Sequence, residues 1–174
     1  MAGGPGLTPA QTVGPFLHLA LADPVAAFAV PDGSRDAIAI EGRVFDGAGD
    51  AVADAVVETW QIDGRFARCA TDDDGKYRIV TTKPPAVATA GGAVQAPHLV
   101  VSVFARGLLD RVVTRIYFAD EASANAADPV IGDGKVDPER RDALIADVAG
   151  PAQYRFDIVL QEGPGGGESV FFAV

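Results

Sequence analysis

The sequence predicts an all-β domain, a β-sandwich with an N-terminal arm and one short peripheral helix. Short runs of alternating apolar and polar residues recur from Ala37 onward, and a period of two is typical of half-buried strands. Asp-Gly and Gly-Asp turns separate several of these runs, and their glycines supply the positive φ that hairpin turns need. Only one segment carries the start signals of a helix, which favours a two-layer sandwich.

Residues 1–35 are predicted to form the arm, and residues 36–174 the sandwich domain. The arm is rich in Gly, Pro and Ala and has little periodicity apart from the apolar run 17–21. We expect an apolar segment kept regular by prolines to pack on another surface, because free in solvent it would expose that apolar run.

Seven strands are predicted in the domain, each bounded by turn or breaker residues. They cover residues 37–45, 55–61, 76–81, 98–105, 111–118, 153–160 and 168–172. Residues 62–70 are predicted as a loop. Residues 84–97 contain too much Pro, Gly and Ala for regular structure.

The single predicted helix begins after Asp137 and runs to about Val148. Asp137 is a suitable N-cap, and Pro138 takes the first helical position, where a missing N–H costs nothing. Gly150 and Pro151 are expected to end this helix.

Composition excludes several classes of protein. The 174 residues accommodate one domain, and 48% apolar residues suffice for a core. The net charge of −10 argues against binding to nucleic acid or to an anionic membrane surface. The single cysteine, Cys69, excludes an internal disulfide framework, and the N-terminus has neither a basic region nor an apolar core. A cytoplasmic protein without membrane-spanning segments is therefore expected.

His98 is a candidate metal ligand that lacks a second ligand on the same strand face. It begins a predicted strand, and the residue two positions on, which shares its strand face, is Val100. A His-x-His pair on a strand would provide two ligands, whereas His-x-Val provides one. A histidine bonded to the backbone and a remnant of a metal site are both open interpretations.

Arg115 lies in the apolar run 112–118 and is expected to share a strand face with Val113 and Tyr117. A guanidinium in such a strand is costly unless it is paired or partly solvated. Two interpretations stay open, a salt bridge to one of the 24 acidic residues and an arginine that binds a substrate carboxylate.

Several segments together resemble the intradiol ring-cleavage dioxygenases. Residues 8–16, Thr-Pro-Ala-Gln-Thr-Val-Gly-Pro-Phe, resemble the N-terminal segment of that family. The segments 42–47, 57–61, 71–77 and 114–118 continue the resemblance in the family's order. A collinear series of this length, reaching the C-terminal end, is far more specific than any one of its members.

The resemblance also reveals departures at the positions that bind iron in catalytic chains of the family. Those chains hold Fe(III) through two tyrosines and two histidines. Phe66 stands in the place of the first tyrosine, Ala86 or Val87 in the place of the second, and the histidine pair is reduced to His98 with Val100. Ferric iron requires anionic oxygen ligands, so we expect no metal ligands and no catalytic residues on this chain.

The resemblance therefore implies a supporting subunit of a hetero-oligomer. A homologous beta chain would hold the non-haem Fe(III), with protocatechuate and O₂ as substrates and 3-carboxy-cis,cis-muconate as product. Carried over to this chain, the substrate-binding residues are Thr12, Gly14 and Pro15 of the arm, and Arg115, which would set the charge of the pocket.

Two other functions remain open on the sequence alone. One is a self-sufficient intradiol catechol dioxygenase with displaced ligands. The other is a non-catalytic, prealbumin-like β-sandwich that serves as a binding module.

Overall fold

The computed structural model describes residues 9–14, 16–132, 135–164 and 167–173. The strands in this part of the chain are β1 Ala37–Phe45, β2 Val56–Trp60, β3 Phe66–Ala70, β4 Lys76–Thr82, β5 Val87–Ala88, β6 Val94–Gln95, β7 His98–Phe104, β8 Val112–Phe118, β9 Ile145–Gly150, β10 Gln153–Arg155 and β11 Ile158–Val159. The helices are α1 Phe16–Leu21 and α2 Ala122–Ala127, with 3₁₀ turns at Pro24–Ala27, Ala119–Glu121 and Pro138–Leu144. No helix in the described part of the chain has the length and apolar character needed to span a membrane.

Two β layers enclose the core, and β9 joins them. In the first layer β1 pairs antiparallel with β4 and parallel with β10 and β11. In the second layer the order is β3, β2, β7 and β8, all antiparallel. Strand β9 pairs parallel with β8 and antiparallel with β10, so the two layers form one sheet folded over the core. The predicted all-β sandwich is confirmed.

The core consists of the alternate residues of each strand that face inward. Its buried members from the first layer are Ile38, Ile40, Val44, Tyr77 and Ile79, and those from the second are Val57, Leu99, Val101, Val103, Ile116 and Phe118. Because side chains alternate along a strand, the even-numbered residues of β7 and the odd-numbered residues of β8 lie on the outer face of the second layer. Part of that outer face packs in a second apolar cluster around Tyr117, whereas His98, Val100 and Arg115 stay only partly buried.

A close backbone contact holds β1 against the segment after β10. A Cβ at position 42 would lie 1.7 Å from the carbonyl oxygen of Phe156, so only glycine fits there. The same carbonyl accepts a hydrogen bond of 2.6 Å from the buried Tyr77 hydroxyl. Gly42 thus allows three segments to meet inside the core.

The arm is partly attached to this sandwich. The N–H of Ala29 donates to the carbonyl of Val80 on β4, and Ala27 is buried. Helix α1 lies beside β3. Residues 1–8 and Pro15 lie outside the described residues, and the division of the chain into arm and domain stays a prediction.

Several details of the predicted secondary structure are wrong, and the described residues contain two short helices, α1 and α2, that the sequence did not predict. Residues 66–70 form β3, because they pair with β2 around the tight turn at Gly64, whose φ is +85°. The helix after Asp137 is a 3₁₀ turn that ends at Leu144, since residues 145–150 pair with β8 and β10. Residues 84–97 contain the short pair β5 and β6. Residues 168–172 are not assigned to a strand, although Phe172 N–H donates to the carbonyl of Val113.

We predict that Gly42→Ala lowers the free energy of unfolding by about 1 to 3 kcal/mol, because the new methyl group must displace backbone. Chemical denaturation of the full chain measures the change. The control is Gly91→Ala, where the nearest atom to a new Cβ is 3.9 Å away, and we expect a change within about 0.5 kcal/mol. Equal effects of the two substitutions would contradict the close contact at Gly42.

Candidate functional site

A row of four neighbouring side chains crosses the outer face of the second layer. The register places Phe66 of β3 opposite Trp60 of β2, Trp60 opposite Val100 of β7, and Val100 opposite Arg115 of β8. The Trp60 and Phe66 rings pack with centroids 4.5 Å apart. This row forms the floor of the candidate site, and His98 stands beside it.

The row opens into a cavity of about 310 Å³. Its lining comes from the ends of β2 and β7, from β8 and from the β5–β6 pair: Trp60, Gln61, Ile62, Val87, Gln95, His98, Val100 and Arg115. Gln61 is held in place because its Nε2 donates to the carbonyl of Thr82 at 2.9 Å and its Oε1 accepts from the Thr81 hydroxyl. We call this space the His98 cavity.

Arg115 forms no salt bridge with the described residues. Its Nη1 donates to the Tyr117 hydroxyl at 3.1 Å, and its guanidinium carbon lies 5.8 Å from the centre of the Phe172 ring. The salt bridge considered from the sequence is therefore absent among the described residues. The Arg115 side chain lines the His98 cavity. Its guanidinium has five N–H donors, and the bond to Tyr117 uses only one of them.

The nearest buried carboxylate is already occupied by other donors. Asp128 accepts hydrogen bonds from the backbone N–H groups of Ala96, Val130 and Ile131 at 2.7 to 3.0 Å, and from the Tyr117 hydroxyl at 3.3 Å. Burial raises the pKa of Tyr117 to about 12, so this phenol stays protonated. The Tyr117 hydroxyl thus links the two charged residues: it accepts a hydrogen bond from Arg115 and donates one to Asp128.

His98 is bonded to the backbone. Its Nδ1 lies 2.7 Å from the carbonyl oxygen of Ala96, which makes Nδ1 the protonated nitrogen, and its ring packs 5.4 Å from that of Tyr117. Burial lowers the pKa of His98, the Ala96 bond opposes this, and the charge of Arg115 lowers the pKa further. The imidazole is therefore neutral at pH 7, with Nε2 available to accept a hydrogen bond.

The donor set of the His98 cavity does not fit ferric iron. Val87, His98 and Val100 line the cavity and Phe66 lies against its floor, so the structure brings these four positions together. Their side chains offer one nitrogen donor and no anionic oxygen. Ferric iron needs several anionic oxygen ligands. Among the described residues no three His, Cys, Asp or Glu side chains converge at any point.

The residues expected to bind substrate fall into two groups on this chain. The Oγ1 of Thr12 accepts a 2.8 Å hydrogen bond from the N–H of Gly107 in the β7–β8 turn. The carbonyl of Gly14 accepts from Leu17 at the start of α1, and Pro15 lies outside the described residues. Arg115 lines the His98 cavity and Thr12 does not, so the structure does not bring these two residues into one cavity.

Trp60, Ile62 and Gln95 were missed by the sequence reasoning. Their contribution depends on which strands are neighbours and on how the β5–β6 pair folds over the sheet. The one signal in the sequence is Trp60, the only tryptophan, because tryptophan is enriched at binding surfaces.

Two larger cavities lie elsewhere on the chain. One of about 590 Å³ borders α2, and one of about 770 Å³ lies over the charged outer face of the first layer. Neither contains any residue that the sequence singled out for binding. We therefore regard the smaller His98 cavity as the candidate site.

Comparisons with known proteins show which sequences and folds this chain resembles. A family model described as "Dioxygenase" matches residues 22–162. The protocatechuate 3,4-dioxygenase alpha chain of Pseudomonas putida is 40% identical, over 95% of both chains. The protocatechuate 3,4-dioxygenase beta chain of Burkholderia cepacia is 32% identical, over 75% of this chain and 66% of that one.

The solved structure of hydroxyquinol 1,2-dioxygenase from Pseudomonas putida DLL-E4 is similar in fold. The two structures superpose with a TM-score of 0.59 at 20% identity, over 87% of this chain and 65% of the other. At this identity the likeness supports the fold alone.

We predict that NMR titration places the pKa of His98 below its ordinary value of about 6.5 and that Arg115→Gln raises it, because a neighbouring positive charge is removed. Arg106→Gln, which removes an exposed arginine from the β7–β8 turn, should leave this pKa unchanged. Since the folded-state pKa is depressed, the unfolded state binds the proton more readily. The contribution of His98 should therefore lower the free energy of unfolding as the pH falls below about 6.5. A His98 pKa that Arg115→Gln leaves unchanged or lowers would contradict this arrangement.

Proposed function

The chain belongs to the intradiol dioxygenase family, and we propose that it serves there as the alpha subunit of a protocatechuate 3,4-dioxygenase. The observation that carries the proposal is the donor set at the His98 cavity, which does not fit iron although the family uses non-haem iron. The similarity to an alpha chain over 95% of both sequences supports the same role. The cytoplasm is the proposed compartment, supported by the single cysteine.

In this proposal a homologous beta chain holds the Fe(III). The metal there supports the insertion of both atoms of O₂ between the hydroxyl-bearing carbons of protocatechuate, giving 3-carboxy-cis,cis-muconate. This chain supplies part of the wall of the substrate pocket. Its contribution is to position and orient the substrate.

The arm is proposed to make that wall at the boundary between the chains. Thr12 is fixed by its bond to Gly107, and no atom lies within 4 Å of the point where a Cβ on Gly14 would stand. A partner chain or a substrate could therefore approach the backbone at Gly14 closely. Pro15 would keep this segment stiff.

Arg115 is proposed to set the charge of the substrate site. Protocatechuate is anionic at its ring carboxylate, and this chain has a net charge of −10. An arginine without a salt bridge among the described residues counters that repulsion locally.

Exposed apolar side chains support an obligate partner. Phe16 and Leu19 on α1 are 77% and 80% exposed, and Ile62 and Leu109 are exposed as well. Helix α1 lies beside β3, the strand that pairs with β2 and places Phe66 opposite Trp60. A partner chain on this side would remove the apolar surface from water.

The two other functions considered from the sequence have less support. A self-sufficient dioxygenase with displaced ligands would need a ligand set elsewhere, and no three His, Cys, Asp or Glu side chains converge among the described residues. A prealbumin-like binding module would not require similarity to an alpha chain that extends through the arm.

We predict that the full chain purified alone neither binds stoichiometric iron nor cleaves protocatechuate, and that it becomes part of an active complex when co-expressed with a homologous beta chain. Oxygen uptake and metal analysis measure both properties. Val100→His, which restores the second histidine, should leave the iron content of the complex unchanged, because both tyrosinates are still missing. Ring cleavage by this chain alone would refute the proposal.

We predict that Thr12→Val raises the KM of the assembled enzyme for protocatechuate by about tenfold, since it removes a hydrogen bond that holds the arm in place. The iron content should not change. Thr89→Val, which removes a comparable bond in the exposed β5–β6 turn, should leave KM unaltered. Normal kinetics in the Thr12 variant would count against a role for the arm in the pocket.

A further inference from the structure

We propose that Tyr117 and Asp128 are positioning residues that hold the Arg115 guanidinium in place and thereby set how strongly the substrate site prefers a catechol with a carboxylate to one that lacks it. The inference rests on the proposed function, in which Arg115 sets the charge of that site. It adds a hydrogen-bonded chain that runs from Arg115 through the Tyr117 hydroxyl to Asp128. Neither Tyr117 nor Asp128 lines the His98 cavity, so both act through Arg115.

Arg115 needs support from its surroundings to bind a carboxylate through two parallel hydrogen bonds. An arginine side chain has many rotamers, and a two-point contact requires one orientation of the guanidinium plane. Among the described residues, two contacts restrict that plane: the 3.1 Å hydrogen bond from Nη1 to the Tyr117 hydroxyl, and the Phe172 ring, whose centre lies 5.8 Å from the guanidinium carbon. The hydrogen bond is the more directional of the two.

The Tyr117 hydroxyl can accept from Arg115 because its own proton is directed elsewhere. A phenol has one proton, and this one is donated to Oδ1 of Asp128 at 3.3 Å. The lone pairs of the hydroxyl oxygen therefore stay available to Arg115. Without the carboxylate behind it, the hydroxyl could rotate its proton towards the guanidinium, and the contact would become repulsive.

Asp128 is a fixed anchor for this chain. The residue is fully buried, its Oδ2 accepts from the N–H of Ala96 at 2.7 Å, and its Oδ1 accepts from the N–H groups of Val130 and Ile131 at 2.7 and 3.0 Å. These donors belong to two separate segments, one just before β7 and one just after α2. Because backbone donors cannot rotate away, the fold determines the position of the carboxylate.

The Tyr117 ring carries the hydroxyl on a rigid support. It is fully buried in the second apolar cluster, together with Val136 and Leu144, and its centre lies 5.4 Å from that of the His98 ring. Replacement of tyrosine by phenylalanine removes the hydroxyl and keeps this packing. Tyr117→Phe therefore tests the hydrogen-bonded chain separately from the apolar cluster.

The chain affects the part of the substrate that carries the carboxylate. Protocatechuate presents a ring carboxylate to Arg115, whereas catechol has the two hydroxyls alone. The carboxylate is remote from the carbons between which O₂ is inserted, so its contact contributes to binding rather than to the chemical step. Loss of the support should therefore raise KM for protocatechuate and leave kcat within about twofold.

The test uses the assembled α–β complex. Oxygen uptake gives KM and kcat for protocatechuate, and competitive inhibition by catechol gives the affinity for the diol alone. We expect Tyr117→Phe to raise KM for protocatechuate about tenfold and to change the catechol inhibition constant by less than about twofold. The matched control is Tyr154→Phe, which removes another bond from a tyrosine to a carboxylate, 2.9 Å to Asp120. It should change each constant by less than about twofold.

A double-mutant cycle determines whether Tyr117 acts through Arg115. Arg115→Gln should raise KM for protocatechuate by itself. Addition of Tyr117→Phe to that variant should raise KM by less than about twofold more, because the hydroxyl then has no guanidinium to position. Multiplicative effects of the two substitutions would overturn the positioning role.

Failure of this inference is distinguishable from failure of the proposed function. An inactive wild-type complex would refute the proposed function and the inference with it. An active wild-type complex in which Tyr117→Phe leaves KM for protocatechuate unchanged would overturn the inference alone. The same holds if Tyr117→Phe weakens catechol and protocatechuate equally, or if it lowers the iron content of the complex, since the hydroxyl would then serve assembly and not the contact with the carboxylate.

Discussion

Ferric iron needs several anionic oxygen ligands around one point, and the molecule is organised around a cavity that does not offer them. Val100 and Val87 line the cavity with His98, and Phe66 packs on Trp60 at its floor. By the family resemblance, Phe66 stands in the place of one tyrosine, Ala86 or Val87 in the place of the other, and Val100 in the place of a histidine. Strand pairing aligns Phe66 and Val100 in one row through Trp60, and Val87 reaches the same cavity from the β5–β6 pair. These positions line one cavity without offering a ligand set for iron, which supports the proposal that a partner chain holds the metal.

The residues of the site can change without loss of the fold, because the main core and the site occupy opposite faces of the same strands. The inward residues of β7, such as Leu99 and Val101, are fully buried and hold the two layers together. His98 and Val100 on the other face contribute little to that packing, so substitutions there need not disturb the sandwich. Around the His98 cavity this outer face carries apolar surface and one arginine, Arg115, that forms no salt bridge with the described residues. Both features suit association and the binding of an anion.

Local sequence patterns predicted most strands and the sandwich. The remaining elements depend on pairing between strands that are distant in sequence. The alternation in β1, β4, β7 and β8 is strong enough to identify each strand to within about one residue at each end. Strand β3 was missed because Phe66–Ala70 becomes a strand only by pairing with β2. The N-cap signal at Asp137 was correct, yet pairing of residues 145–150 overrode the helix. The same limit applies to the site: His98, Val100 and Arg115 could be named from one sequence, whereas their proximity to Trp60 could not.

The central claim is that this chain shapes a dioxygenase site without holding its iron. Anomalous X-ray scattering at the iron absorption edge, from crystals of the chain assembled with its beta partner, tests it most directly. We expect one iron peak for each α–β pair, located in the partner, and none beside His98. A peak of comparable height in the cavity between His98 and Arg115 would contradict the claim.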